Sequence, residues 1–113
     1  MEKSLLERGY KKYPKTLRAD EWLLHKPVRS ADGRVRYFVD FSFFYARDEK
    51  LWSASLRSNY QGAAICIETW NWQRGLSVEQ IIATTEELFE KAFVELSLES
   101  YDSIGEDSPA SNN

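Results

Sequence analysis

The chain has 113 residues and a mass of 13.2 kDa; 42% of its residues are hydrophobic, 29% are charged, and the formal net charge at pH 7 is −3. This length and balance are typical of one soluble globular domain and exclude a disordered or fibrous protein. No apolar run approaches the roughly 20 residues that span a bilayer, and the N-terminal residues lack the apolar core of a signal peptide, so we expect a cytoplasmic protein without membrane contact.

Residues 20–99 are predicted to form a single domain between two irregular ends. Gly9 and Pro14 interrupt residues 1–19, so we expect a loosely ordered N-terminal arm that is a short helix or disordered. Residues 100–113 are polar and small, and we expect a disordered C-terminal tail.

The first two predicted strands form a hairpin. Residues 21–28 and 34–47 are rich in large apolar side chains, and they flank the dipeptide Asp32-Gly33, which favours a tight hairpin turn. Pro27 has no N–H to donate to a strand ladder, so we expect the first strand at an edge of the sheet.

Residues 34–47 are apolar on both faces of the predicted strand. Successive side chains point to opposite faces. One face is apolar throughout and carries Val35, Tyr37, Val39, Phe41, Phe43 and Tyr45. The other face carries Phe38 and Phe44 among polar residues. A single helix covers one face only, so the second needs another cover: a second copy of the chain, the N-terminal arm or a ligand.

Two more strands follow. Residues 51–60 alternate cleanly between apolar and polar side chains, and residues 63–72 are rich in β-branched residues. The short connections favour an antiparallel meander. Trp70 and Trp72 are two residues apart, so both project to the same face of the last strand.

A helix begins after Gly75. Ser77 and Gln80 have the spacing of a capping box, and apolar residues then recur at steps of three and four up to Leu96. The acidic residues away from this stripe, including Glu86 and Glu90, are expected to face water.

These elements predict an α+β fold in two layers. A four-stranded antiparallel meander is packed by one long C-terminal helix in the order β-β-β-β-α, with a loosely ordered N-terminal arm.

Few side chains could carry catalysis. His25 is the single histidine, and Cys66 lies in an apolar strand where a thiol behaves as a small buried side chain with a raised pKa. Together they cannot supply the three or four ligands of a structural zinc site, and the five glycines form no phosphate loop. We therefore predict a non-enzymatic protein with no catalytic residue, no cofactor and no bound metal.

The aromatic side chains of the second face favour association with another molecule. Most soluble oligomers are symmetric, and a self-complementary aromatic patch suits a two-fold axis, so we predict a homodimer formed sheet-to-sheet or edge-to-edge; an unidentified protein partner is the alternative. The candidates for this interface, or for a ligand site, are Phe38, Phe44, Trp70 and Trp72.

Two alternatives stay open. A single-stranded nucleic acid could bind a basic, aromatic sheet face, although the acidic pI of 5.2 opposes it. Its candidate residues are Lys11, Lys12, Lys15, Arg18, Arg34, Arg36 and Arg57. The other alternative is a small-ligand pocket between sheet and helix, for which the sequence identifies no substrate.

Overall fold

A computed structural model describes residues 1–13, 21–58, 62–68 and 75–101, with the backbone alone for residues 62–68. The elements in chain order are α1 (Glu2–Glu7), β1 (Lys11–Lys12), β2 (Trp22–Arg29), β3 (Val35–Ala46), β4 (Glu49–Ser58), β5 (Gly62–Glu68) and α2 (Val78–Glu95). No helix in these ranges is long and apolar enough to cross a bilayer.

The strands form one antiparallel sheet in the order β1-β2-β3-β4-β5, followed by α2. The predicted α+β class, with an antiparallel meander and a C-terminal helix, is confirmed. The structure adds β1, a two-residue strand in which Lys11 lies opposite His25 and Lys12 opposite Leu24. Pro27 lies beyond the end of β1, where its missing N–H costs no ladder bond.

The N-terminal residues, expected as a loosely ordered arm that is a short helix or disordered, form the short helix α1 and the strand β1 and contribute to the core. Leu5 of α1 is fully buried, and the ring of Tyr10 packs edge-on against Phe41 with centroids 5.6 Å apart. Most of the predicted C-terminal tail, residues 102–113, lies outside the described residues.

The β2–β3 and β3–β4 hairpins both turn tightly. In the β2–β3 turn, Gly33 has φ +90°, and the Asp32 carboxylate accepts a hydrogen bond of 3.1 Å from the backbone N–H of Arg34. The β3–β4 loop has two residues, Arg47 and Asp48, with φ of +53° and +62°. Positive φ at both positions matches the twist of a two-residue hairpin.

The core lies between α2 and one face of the sheet. β3 buries Val35, Tyr37, Val39, Phe41 and Phe43 on this face, and α2 buries Ile82, Thr85, Phe89 and Phe93. This face of β3 is the one predicted to be apolar throughout, so its alternation identifies the side that α2 covers.

The start of α2 has the predicted capping box. The backbone N–H of Gln80 donates to the Ser77 hydroxyl at 3.1 Å, and the Gln80 side chain accepts from the Ser77 N–H at 2.8 Å. Two of the N–H groups that a helix start leaves without an intrahelical partner are thereby satisfied.

Candidate functional site

The second face of the sheet, which turns away from α2, carries a charged and aromatic group that we call the Arg57 cluster. It comprises Tyr13, His25, Phe38, Asp40, Arg57 and Tyr101. Its centre is an ion pair between neighbouring strands: Arg57 Nε donates to Asp40 Oδ2 at 2.7 Å and Nη2 donates to Oδ1 at 3.1 Å. Asp40 is only 5% exposed, so its carboxylate depends on Arg57 for compensation.

Aromatic rings surround this ion pair. The Arg57 guanidinium lies 4.3 Å from the centroid of the Phe38 ring, and its Nη1 donates to the Tyr101 hydroxyl at 3.1 Å. Phe38 also stacks on His25 at 5.5 Å and meets the Tyr101 ring edge-on at 5.0 Å. Side chains of this chain therefore cover much of the second face around Phe38.

His25 lies against this cluster from β2. Its ring meets Tyr13 edge-on at 4.8 Å, and its Nδ1 lies 3.5 Å from Arg57 Nη2. Burial is the largest influence and lowers the pKa of His25; the nearby Asp40 carboxylate opposes this, and Arg57 and Lys11 add to the lowering. A neutral ring fits this position, because it can accept from the guanidinium.

The opposite face of the sheet holds a second charged group, on one flank of α2. Glu86 accepts hydrogen bonds from the Tyr10 hydroxyl at 2.7 Å and from Lys26 Nζ at 3.1 Å, and it forms an ion pair with Arg8. The expectation that Glu86 faces water is wrong. It lies beside the buried stripe of α2, within reach of long side chains from α1 and β2.

Glu90 repeats this arrangement one turn further along the helix. Arg36 donates to its two carboxylate oxygens at 2.8 Å and 2.7 Å, and the Tyr37 hydroxyl donates at 2.9 Å. Glu90 meets water as expected on one side, since its side chain is 44% exposed, but its carboxylate is also bonded to β3. We call Glu86, Glu90 and Glu79, which accepts from the Ser4 hydroxyl, the polar flank of α2.

The contacts of the polar flank shift the pKa values of its carboxyl groups and of the tyrosine phenols that donate to them. Burial would raise the pKa of Glu86, but hydrogen bonds from Arg8, Tyr10 and Lys26 outweigh it and leave that pKa lowered. Arg36 is the main cause of the lowered pKa of Glu90. Burial and the facing carboxylates raise the pKa of the Tyr10 and Tyr37 phenols. Each Tyr–Glu pair therefore stays in its hydrogen-bonded form, phenol to carboxylate, across the neutral pH range.

An open groove lies between the polar flank and the sheet. It has a volume of about 510 Å³, and Val28, Tyr37 and Val39 form its apolar part. Its charged lining comprises Lys26, Glu86, Glu87, Glu90 and Lys91. Its position matches the predicted pocket between sheet and helix.

The structure describes two of the four predicted interface residues. Phe38 is part of the Arg57 cluster. Phe44 is half-buried on the same face, near the β3–β4 hairpin and opposite Leu51. Trp70 and Trp72 lie outside the described residues.

The predicted nucleic-acid residues that the structure describes do not form one continuous surface. Arg36 pairs with Glu90 on the helix side, whereas Arg57 pairs with Asp40 on the second face. Lys11 and Lys12 are exposed on β1, and Arg34 follows the β2–β3 turn. Lys15 and Arg18 lie outside the described residues.

Sequence reasoning missed Tyr10, Tyr13, Asp40 and Tyr101 as parts of these two groups. Asp40 gave a usable signal, because a carboxylate inside an aromatic strand needs a buried cation as its partner. Tyr101 gave none, since its contact with Arg57 is 44 residues away in sequence.

Within the described ranges, no three His, Cys, Asp or Glu side chains come together as a metal site. Neither a protein-family model, nor a curated protein sequence, nor a solved structure matches this chain. The functional argument therefore stands on the geometry of its own residues.

Proposed function

We propose that this chain is a non-enzymatic interaction domain that acts as a homodimer, joined along β5 and the adjacent flank of α2. The observation that carries the proposal is the difference between the two sides of the fold. The β2 side is closed by internal ion pairs, whereas on the other side the seven-residue strand β5 has only β4 as its partner among the described strands.

The contacts of the polar flank fix how α2 lies on the sheet. Glu86 pairs with Lys26, and Glu90 bonds to Tyr37, which lies opposite Val28 in the β2–β3 ladder. Glu86 therefore lies next to residue 26 of β2, and Glu90, one helical turn later, lies next to residue 28. The polar flank faces the β2 side, so the opposite flank faces β4 and β5.

This opposite flank of α2 is apolar. At 3.6 residues per turn, Ile81, Leu88 and Ala92 lie across the buried stripe from Glu86 and Glu90. Leu88 is 42% exposed, and Ile81 and Ala92 are half-buried. An apolar surface at this position is what a symmetric partner would bury.

A comparison of the two edges of the sheet also favours the β5 side as the dimer surface. At the β1 edge, the strand is two residues long with exposed Lys11 and Lys12, and Pro27 lies just beyond it. Short strands, lysines and prolines discourage further strand pairing. β5 spans seven residues without Lys, Arg or Pro, and among the described strands it pairs only with β4. A second copy of β5 would complete its ladder.

This interface differs from the one expected on the second face. Phe38 is packed by His25, Arg57 and Tyr101 of its own chain, which leaves less of its ring for a partner. The proposal includes a cytoplasmic location, in keeping with a chain that has one cysteine and hence no internal disulfide.

Light scattering on the purified protein tests the proposal. We expect twice the chain mass of 13.2 kDa for wild type and loss of the dimer in Leu88→Glu. Val94→Glu is the matched control, because Val94 is 60% exposed on the outer side of the same helix. A monomeric wild type at high protein concentration would overturn the homodimer. Dissociation by Phe44→Asp but not by Leu88→Glu would move the interface to the second face.

Single-stranded nucleic acid binding has weaker support, since Arg36 and Arg57 already pair with carboxylates. Tryptophan fluorescence with a short oligonucleotide at low salt separates the two proposals. Salt-sensitive quenching would favour the nucleic-acid function.

A further inference from the structure

The residues that follow α2 carry the chain from the helix side of the sheet to the second face. Ser97 has φ +52° and turns the chain, and the side chain of Leu98 packs against the core. Tyr101, three residues later, lies on the second face, where its hydroxyl accepts from Arg57 and its ring meets Phe38. Tyr101 therefore fixes the chain to the Arg57 cluster at this point.

His25 contacts the same two residues that hold Tyr101. Arg57 donates from Nη1 to the Tyr101 hydroxyl at 3.1 Å, and its Nη2 lies 3.5 Å from His25 Nδ1. The Phe38 ring meets Tyr101 edge-on at 5.0 Å and stacks on the His25 ring at 5.5 Å. A change in His25 thus reaches Tyr101 through shared neighbours, without a direct contact.

The contact between His25 and Arg57 requires a neutral imidazole ring. A neutral ring has one nitrogen that accepts a hydrogen bond, whereas a protonated ring donates from both nitrogens. After protonation, Nδ1 and the guanidinium are two donors and two cations that face each other, so they repel.

The other charged groups that face His25 do not cancel this repulsion. Lys11 on β1 lies directly opposite His25 and adds a further cation. Asp40 on β3 lies opposite it on the other side, and both of its carboxylate oxygens already accept from Arg57. The uncharged groups nearby are the phenols of Tyr13 and Tyr101. A protonated His25 therefore competes with Arg57 for one carboxylate.

We propose that Tyr101 is a latch that holds the chain after α2 on the second face, and that protonation of His25 opens this latch. The protonated ring draws on the Asp40 carboxylate and displaces the guanidinium, so Arg57 Nη1 leaves the Tyr101 hydroxyl. Opening exposes the Phe38 ring. The core under α2 stays intact, because the latch contacts lie on the other face of the sheet.

The ionisation of His25 agrees with this direction. Burial lowers its pKa in the latched form, and Arg57 and Lys11 lower it further against the opposing effect of Asp40. Opening removes part of the burial and the facing guanidinium, so the pKa rises towards 6.5 in the open form. The form with the higher pKa gains population as the pH falls through and below that value.

An NMR titration of the full chain from neutral pH to well below 6.5 tests the proposal. His25 is the single histidine, so its imidazole signal needs no further assignment. We expect the Tyr101 ring signals, which the Phe38 ring displaces in the latched form, to move to the positions of an exposed tyrosine with the midpoint of His25. The amide of Phe89, a fully buried residue of α2, should stay protected from exchange.

Variants at both ends of the coupling sharpen the test. Tyr101→Ala leaves only the open form, so it should raise the pKa of His25. Tyr45→Ala is the matched control, because Tyr45 is 52% exposed and packs on Trp22 rather than on the Arg57 cluster, and it should leave that pKa unchanged. In His25→Phe, which keeps an aromatic ring, and in His25→Gln, which keeps an acceptor, the Tyr101 signals should not respond to pH. Circular dichroism checks that each variant is folded.

The proposal is overturned if the Tyr101 signals stay fixed while His25 titrates, or if Tyr101→Ala shifts the pKa of His25 no more than Tyr45→Ala does. It is also overturned if Phe89 loses protection at the same midpoint, because the transition is then global unfolding. The latch does not involve β5 or Leu88, so the titration tests it separately from the homodimer.

Discussion

Arg57 on β4 holds Asp40 on β3 through two hydrogen bonds, on the face of the sheet that turns away from α2. This pair explains why an otherwise aromatic strand contains a carboxylate. The guanidinium compensates the Asp40 charge and lies over the Phe38 ring at the same time. One charged side chain thus organises both the polar and the aromatic residues at this end of the second face.

Removing Arg57 should destabilise the protein strongly. In Arg57→Met the Asp40 carboxylate stays buried without its cation, and breaking such a buried pair costs about 3 kcal/mol. Urea unfolding of wild type and variant measures the change in the free energy of unfolding.

Two further variants separate the lost ion pair from lost packing. Asp40→Asn combined with Arg57→Met should recover part of the loss, because the uncompensated charge is gone. Arg36→Met should cost about 1 kcal/mol or less, since its partner Glu90 is 44% exposed. An equal loss of unfolding free energy in Arg36→Met and Arg57→Met would contradict the idea that burial makes the Arg57–Asp40 pair the more important one.

The protein should lose stability as the pH falls below the unfolded pKa of His25, 6.5. Folding lowers this pKa, so the folded state favours the neutral ring and the unfolded state binds the proton first. The free energy of unfolding should therefore fall as the pH drops through and below 6.5, more steeply in wild type than in His25→Phe. Parallel pH profiles for the two proteins would show that His25 does not contribute.

Glu86 should contribute stability that is lost at lower pH. Its folded pKa lies below the unfolded value of 4.5, so the contribution is complete above that value and disappears as the pH falls through the folded pKa. Glu86→Gln should cost about 1–2 kcal/mol at neutral pH and reduce the acid sensitivity. The neighbouring Glu87 side chain is exposed. In chemical denaturation across this pH range, Glu87→Gln should therefore change neither the free energy of unfolding nor its acid sensitivity.

The β3–β4 loop offers a stabilising change. Arg47 and Asp48 both have positive φ, which costs free energy for residues other than glycine and asparagine. Replacing them with Asn and Gly should raise the free energy of unfolding by about 0.5–1 kcal/mol. An unchanged or lower melting temperature would indicate that their side chains have a stabilising role.

Local sequence signals predicted most of the fold. The alternation in residues 34–47 indicated which face of β3 lies in the core, and Ser77 with Gln80 located the start of α2 to the residue. These features depend on spacing within one element. The Asp32-Gly33 turn was predictable for the same reason. This turn needs a residue with positive φ, and Gly33 provides it.

Contacts between distant elements were not predictable from such patterns. Glu86 and Glu90 were expected to face water, because a helical stripe separates apolar from polar positions but does not show which polar positions lie beside a neighbouring strand. Their partners are 53 to 78 residues away in sequence. The Arg57 cluster was missed for the same reason, since it joins five separate parts of the chain.

The burial of Leu5 and Tyr10 beneath α2 has a consequence for synthesis in the cell. The hairpins of β2, β3 and β4 are local, so they can pair while the rest of the chain is still being made. α1 must wait for α2, which is about 75 residues later, before Ser4 can meet Glu79. Although α1 is synthesised before α2, it is therefore among the last of the described elements to pack, and a nascent chain halted before α2 would keep Leu5 accessible to chaperones.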